Sequence, residues 1–311
     1  MRAIRLHAPG TVAALGFDRI EIPRVGAGQA LVRVHAAAIT RDELEWPVDR
    51  LPAIPSYELS GTIAALAPEV SELAVGDSVW SLTGFDRDGA AAEYTLVPVP
   101  FLAPKPSTLG HVESAAIPLA GLTAWQRLFE HGRLREGERV LIHGAAGGVG
   151  QFATQLARWR GAYVIGTSSG AAEDVLALGA NEAVDRAAVR FEEAVAAVDL
   201  VFDTVGGEVL ARSPRLLREG TRIVSVAEEP PATVSERVEA SYFVVEPSRD
   251  QLLELARLVD GGTVRPLVDS VFPLAEARAA FERVRTPGKR GKVVLQVGDD
   301  EAEARGEPDV R

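Results

Sequence analysis

The run Gly144-Ala145-Ala146-Gly147-Gly148-Val149-Gly150 is a tight loop of small residues whose types and order suit one kind of chemistry. Glycines let a backbone turn sharply and come close to a diphosphate. The first turn of a following helix adds free N–H groups carrying partial positive charge. A glycine pattern alone is a weak signal; its flanks give it meaning. Val140-Leu141-Ile142 leads in as a short apolar run. Phe152, Leu156 and Trp159 then recur at helical intervals, and Tyr163-Val164-Ile165 closes a strand–loop–helix–strand unit. The stretch from 139 to 169 therefore predicts dinucleotide binding.

Other reactive side chains are notable by their absence. The 311 residues include no cysteine, which excludes disulfides, thiolate catalysis and cysteine-ligated zinc. His7 and His35 lie in strand-like runs, His111 and His131 near loops, and His143 at the end of the strand before the glycine loop. No two have metal-ligand spacing, and none is read as catalytic. A net charge of -11 argues against a nucleic-acid backbone or an anionic membrane as partner. No apolar run approaches the roughly 20 residues that span a bilayer. Met1-Arg2-Ala3-Ile4 enters strand-like sequence directly, without a signal-peptide core, so a cytoplasmic protein is expected.

The elements that must position the loop fall into two patterns. Up to about residue 118 the chain reads as β-rich. Alternating runs occupy 30–35, 61–66, 78–80 and 92–97, and Pro100, Pro104 and Pro106 mark a connection. From 120 to 245 strands and helices alternate. Strands are expected at 140–142, 163–165, 182–184, 199–203, 222–226 and 242–245, with helices at 171–178, 190–197 and 208–217, as in a doubly wound parallel sheet. Two further helices, 250–259 and 274–284, precede a closing strand at 291–297. Residues 299–311 are acidic and aperiodic, and are expected to be disordered.

These stretches together resemble the medium-chain dehydrogenase/reductase superfamily, in its zinc-independent quinone-oxidoreductase (zeta-crystallin-like) branch. The matching segments are Pro55 to Gly61, Gly76 to Val79, Asp88 to Tyr94, Leu122 to Trp125, the loop at 144–150, Leu178 to Ala180, Asp203 to Gly207 and Gly291 to Leu295. The resemblance implies an α/β protein: a GroES-like β-rich catalytic domain (1–119 and 246–298) and a Rossmann doubly wound parallel-sheet domain (120–245). It also implies NADPH in the cleft between them and a homodimer paired through the edge near Tyr242 to Val245. Zinc-dependent cousins carry a Cys–His–Cys set at positions that align with Thr40, Tyr57 and Leu119, so no metal is expected.

Site residues follow from the same alignment. The residue about 20 positions past the loop, where NAD-selective sites put a carboxylate, is Ser169, preceded by Thr167 and Ser168. With Arg186, which aligns where relatives carry a tyrosine, these hydroxyls would admit a 2′-phosphate and favour NADPH. Against this, a lysine common in relatives is replaced by Ala172, Glu173 and Asp174, and a second reading makes Ser168 and Ser169 caps of the next helix. By the same resemblance, Thr123 faces the cleft, and the backbone of Val226, Phe243 and Val244 is expected to contact the nicotinamide end. Thr40 and Tyr57 are the catalytic candidates, each with a hydroxyl to hydrogen-bond a substrate carbonyl. Tyr57 has a second reading as a core aromatic, and Asp42 or Glu43 as a helix cap. The resulting function is hydride transfer from NADPH to a quinone or α,β-unsaturated carbonyl; the alternative is a non-catalytic NADP(H)-binding sensor or partner-binding protein.

Overall fold

The computed structural model describes residues 1–216, 220–230, 239–242 and 244–298. The described residues form three sheets: a hairpin-like pair, Arg2–Leu6 against Leu15–Arg19, a seven-stranded sheet and a six-stranded sheet.

The seven-stranded sheet runs in the order Val268–Pro273, Lys292–Gln296, Gln29–Ile39, Glu58–Leu66, Ser78–Leu82, Ala103–Pro104, with Tyr94–Pro98 also paired to Gln29–Ile39. Strand Gln29–Ile39 is its centre. Its first half alternates, burying Ala30, Val32 and Val34, whereas Ala36 to Ile39 are buried on both faces. Ala36 and Ala38 pack on Ala115 and Ala116 of a short helix, and Ala37 and Ile39 enter the opposite cluster with Leu59 and Phe281. Alternate side chains of a strand point to opposite faces, so alanines here let layers close on both sides. This strand ends by delivering Thr40. Two strands from near the end of the chain, Val268–Pro273 and Lys292–Gln296, complete the same sheet.

The six-stranded sheet is parallel throughout, in the order Glu182–Asp185, Tyr163–Ser168, Arg139–His143, Leu200–Asp203, Arg222–Ser225, Glu239–Tyr242. Strand order reverses at Arg139–His143, and the crevice beyond the carboxyl end of that strand is where such sheets bind ligands. Val140, Leu141 and Ile142 are fully buried because helices cover both faces. Val140 and Ile142 join Phe152 and Leu156 of helix Gly150–Trp159; Leu141 joins Ile165, Phe191 and Ile223 on the other side.

Three expectations change. The last strand lies three residues earlier than the sequence pattern suggested, with Tyr242 in register with Ser225 and Val244 exposed beyond it. The helix expected over 208–217 is α-helical only from Gly207 to Arg212 and tightens over Ser213–Leu216, where Pro214 cannot donate a helical hydrogen bond. The helix expected over 190–197 is a single turn, Phe191–Ala194. Phe243, Leu217 and the tail 299–311 lie outside the described residues.

Helix Arg249–Asp260 links the layers. Ser248 caps its start, and Leu252, Leu255 and Leu258 are buried in the cluster containing Leu122 and Phe152. At its end, Asp260 accepts from the amides and hydroxyls of both Ser107 and Thr108, at 2.8 to 3.1 Å. Partial desolvation pushes this carboxyl up, but the four hydrogen bonds outweigh it and hold the group at about 2. The lowered value means the clasp stabilises the fold above the ordinary aspartate range, and that its contribution is lost as pH falls toward 2. Asp260→Asn should therefore melt at lower temperature than the parent at pH 7, and thermal melts at decreasing pH should show the gap closing below about pH 4.

Candidate active site

The glycine loop is shaped by two close approaches. Gly144 has φ +73°, in the left-handed region, and a Cβ there would collide with Thr204 Oγ1. Gly150, the first residue of helix Gly150–Trp159, sits against the Gly144 carbonyl oxygen so closely that a Cβ would collide with it. Within the loop the Ala145 amide donates to Thr167 O at 2.9 Å and the Gly147 amide to Gly144 O at 2.8 Å. The Gln151 amide donates to Gly147 O, and those of Phe152 and Ala153 to Val149 O. Among the described residues the amides of Gly148, Val149 and Gly150 meet no acceptor. Three donors at a helix start, two of them on glycines, make a seat for an anion.

The start of the closing strand lies over this seat. Gly291 donates to Ala146 O at 3.0 Å, and a Cβ on Gly148 would lie 3.3 Å from Lys292 Cδ.

The hydroxyl run beside the loop divides. Thr167 is fully buried and its Oγ1 lies 3.1 Å from His143 Nδ1, whose Nε2 is 3.0 Å from Ser213 Oγ. Burial pushes His143 down to about 3, so its imidazole is neutral. The Thr167 side chain thus braces the sheet interior. Ser168 is buried, and its Oγ has no partner among the described residues. Ser169 is exposed, with Oγ 3.4 Å from Arg186 Nη2. Neither serine caps the next helix: its cap position is Ala171, without a side-chain bond. Across the cleft floor, Asp203 accepts from the amides of Val205 and Gly206 and from Ser225 Oγ, while the Val226 amide donates to Asp203 O. Thr123 is nearly buried and donates its hydroxyl to Leu119 O at 2.6 Å, one helical turn back. Val244 is 59% exposed.

Thr40 and Tyr57 flank a buried charge cluster that sequence reasoning did not assemble. Glu43 caps no helix; its carboxyl receives the amides of Thr40 and Ser56 at 2.8 and 2.9 Å. Asp42 holds the cap position before the Glu43–Glu45 turn and makes no capping bond. Burial pushes Glu43 up to about 8, against the pull of those amides and of Lys292. Glu58, fully buried, accepts from the Leu119 amide at 2.8 Å and pairs with Lys292 Nζ at 2.6 Å. Lys292 Nζ also lies 3.3 Å from Thr40 Oγ1. Tyr57 is 3% exposed and packs with Trp46 and Phe85, with ring centroids 5.9 and 5.2 Å away. Its hydroxyl makes no hydrogen bond to the described residues. Burial, reinforced by the Glu43 carboxyl, pushes that hydroxyl up to about 12, so it keeps its proton at neutral pH.

Two family descriptions match the chain: Alcohol dehydrogenase GroES-like domain over residues 26–107, and Zinc-binding dehydrogenase over 178–295. A probable zinc-binding oxidoreductase, mitochondrial, from Arthroderma benhamiae is 33% identical, covering 95% of this chain and 96% of its own. The quinone oxidoreductase of Mus musculus is 30% identical over 95% of this chain and 97% of its own. The solved structure of the quinone oxidoreductase from Coxiella burnetii superposes with a TM-score of 0.90 at 31% identity, covering 96% of this chain and 99% of that one. The chain belongs to the medium-chain dehydrogenase/reductase superfamily, in its quinone-oxidoreductase branch. It is an oxidoreductase.

Members of this superfamily differ in whether they hold zinc, and the residues here do not fit it. Thr40, Tyr57 and Leu119 supply neither thiolate nor imidazole, and the Lys292 ammonium beside Thr40 would repel a dication. Among the described residues no group of three His, Cys, Asp or Glu side chains could hold a metal ion. The chain returns a lysine from near its C-terminal end to the place where Glu58 and Thr40 meet, a contact spanning 252 positions. Breaking a buried pair leaves an uncompensated charge. Lys292→Met should cost about 3–5 kcal/mol in urea unfolding, and the double variant Lys292→Met with Glu58→Gln should regain most of that loss.

Proposed function

We propose that this oxidoreductase binds NADPH on the glycine loop and delivers hydride, without a metal, to a quinone or an α,β-unsaturated carbonyl. The observation that carries the reading is the set of open amides at Gly148, Val149 and Gly150 beneath the aliphatic stem of Lys292. A pyrophosphate fits there in charge and in donor count. Gly144, Ala145, Ala146 and Gly147 would shape its seat, and Ser169 with Arg186 would meet the ribose. Thr123, Val226 and Val244 remain the proposed neighbours of the nicotinamide end. Names among the relatives support the substrate class: the tomato protein is a 2-methylene-furan-3-one reductase at 31% identity, and the mouse protein a quinone oxidoreductase. The proposed domain division keeps 1–119 and 246–298 with the substrate and 120–245 with the nucleotide. Two copies are proposed to pair along the edge strand Glu239–Tyr242, where Tyr242 is 48% exposed, and the proposed setting is the cytoplasm.

A bound nicotinamide supplies the hydride; the chain supplies the setting. Tyr57 holds its proton at Oη and presents it to a carbonyl oxygen as negative charge develops there. Thr40 is the second donor. Lys292 Nζ, 3.3 Å away, donates toward Thr40 Oγ1 and leaves that hydroxyl's own proton to point to substrate. Trp46 and Phe85 keep water from the Tyr57 ring and offer an apolar wall to a flat substrate.

The test is NADPH consumption with a panel of quinones and enones, comparing the parent with Tyr57→Phe. We expect turnover, and a fall in kcat of about 100-fold in the variant with little change in KM. An unchanged kcat would return Tyr57 to a packing role. Tight NADPH binding with no turnover on any acceptor would favour the non-catalytic sensor.

A further inference from the structure

We infer that Arg290, near the far end of the chain, is a second cation of the ribose 2′-phosphate site and a determinant of NADPH selectivity. The inference rests on the NADPH reading above and adds a residue that the glycine-loop region does not itself contain. Arg290 belongs to the loop 286–291 between helix Ala277–Arg285 and strand Lys292–Gln296. That loop is fixed at two points beside the nucleotide cleft: the Gly291 amide donates to Ala146 O at 3.0 Å, and the Arg290 amide to Asp269 Oδ1 at 3.0 Å. From there the guanidinium crosses to the segment after strand Tyr163–Ser168. Its Nη2 donates to Gly170 O at 2.9 Å and its Nη1 meets Asp174 Oδ2 at 2.6 Å.

Gly170 follows Ser169, whose hydroxyl faces Arg186 Nη2. Two guanidinium groups from distant parts of the sequence therefore contact adjacent residues of one short segment. Both are partly open to solvent, as a cation serving a diffusing anion must be. This resolves a charge problem. Glu173 and Asp174 lie in the first turn of helix Ala172–Ala177, which follows Ser169, and negative charge there would by itself oppose a 2′-phosphate held at Ser169. Arg290 neutralises Asp174 and brings a planar fork of donors suited to phosphate oxygens. A phosphate monoester carries more charge than one carboxylate and competes with Asp174 for the same fork. Asp174 is then the residue that limits affinity, and Arg290 the one that grants it.

Calorimetric titration of the full chain with NADPH, NADH, adenosine 2′,5′-bisphosphate and 5′-AMP tests this, using the parent, Arg290→Gln and Asp174→Asn. We expect the parent to favour the 2′-phosphorylated member of each pair. Arg290→Gln should weaken NADPH and the bisphosphate by about tenfold while leaving NADH and 5′-AMP unchanged, and Asp174→Asn should tighten the phosphorylated ligands alone. A parent that binds NADH as tightly as NADPH overturns the nucleotide reading, and this inference with it. A parent that selects NADPH, with Arg290→Gln either without effect or weakening all four ligands equally, overturns the role of Arg290 only. Because Arg290→Gln also removes a link to Asp174, Asp174→Asn separates the two causes: weaker binding of every ligand in both variants would mean that the ion pair merely holds the loop.

Discussion

Helix Gly150–Trp159 begins directly against the carbonyl of Gly144, at a separation that no side chain at position 150 permits. Much of the cleft follows from that constraint. The chain must turn within a few residues of strand Arg139–His143, which requires the left-handed conformation at Gly144. The turn uses up the amides of Ala145 and Gly147, and the helix uses those from Gln151 onward. What is left over includes the amides of Gly148, Val149 and Gly150, which meet no acceptor among the described residues, at the point where the strand order of the sheet reverses. An open donor set of this kind is costly to bury and is stable only facing solvent or an anion.

The second sheet answers this opening with a positive charge. Lys292 begins the closing strand, its stem rests by Gly148, and its ammonium is held by Glu58 and Thr40. Burying a lone ammonium is costly; the Glu58 carboxylate, 2.6 Å away, offsets that cost and holds Lys292 in place. Glu58 in turn fixes the Leu119 amide, and Glu43 fixes Thr40 and Ser56, so the residues on either side of Tyr57 are tethered by buried carboxyls. The absence of thiolate and imidazole at Thr40, Tyr57 and Leu119 is thus part of a different construction, in which hydroxyls and an ammonium stand close together.

Much of this was legible in the sequence, and what was not has a physical reason. The glycine loop was found because strand and helix periods flank it, and the six parallel strands because both of their faces are apolar. Glu58 and Lys292 sat inside recognised stretches, yet nothing local says that residues more than two hundred positions apart will meet at 2.6 Å. The stack of His35 on His111, ring centroids 4.3 Å apart, was hidden for the same reason. Counting along the chain reached Thr167 to Ser169 but could not assign faces. The strand places Thr167 against His143 and leaves Ser169 at the rim. The last strand was misplaced by three residues because Tyr242 to Val245 is apolar enough to pass for its core, while pairing is set by register with Arg222–Ser225.

The most direct test of the central claim is residue-resolved amide hydrogen exchange with and without saturating NADPH. The amides of Gly148, Val149 and Gly150 should exchange rapidly in the free protein and become the most strongly protected of the loop when the nucleotide is present. Tight NADPH binding that left those three amides exchanging at the free rate would contradict the account, because the pyrophosphate would then be seated elsewhere.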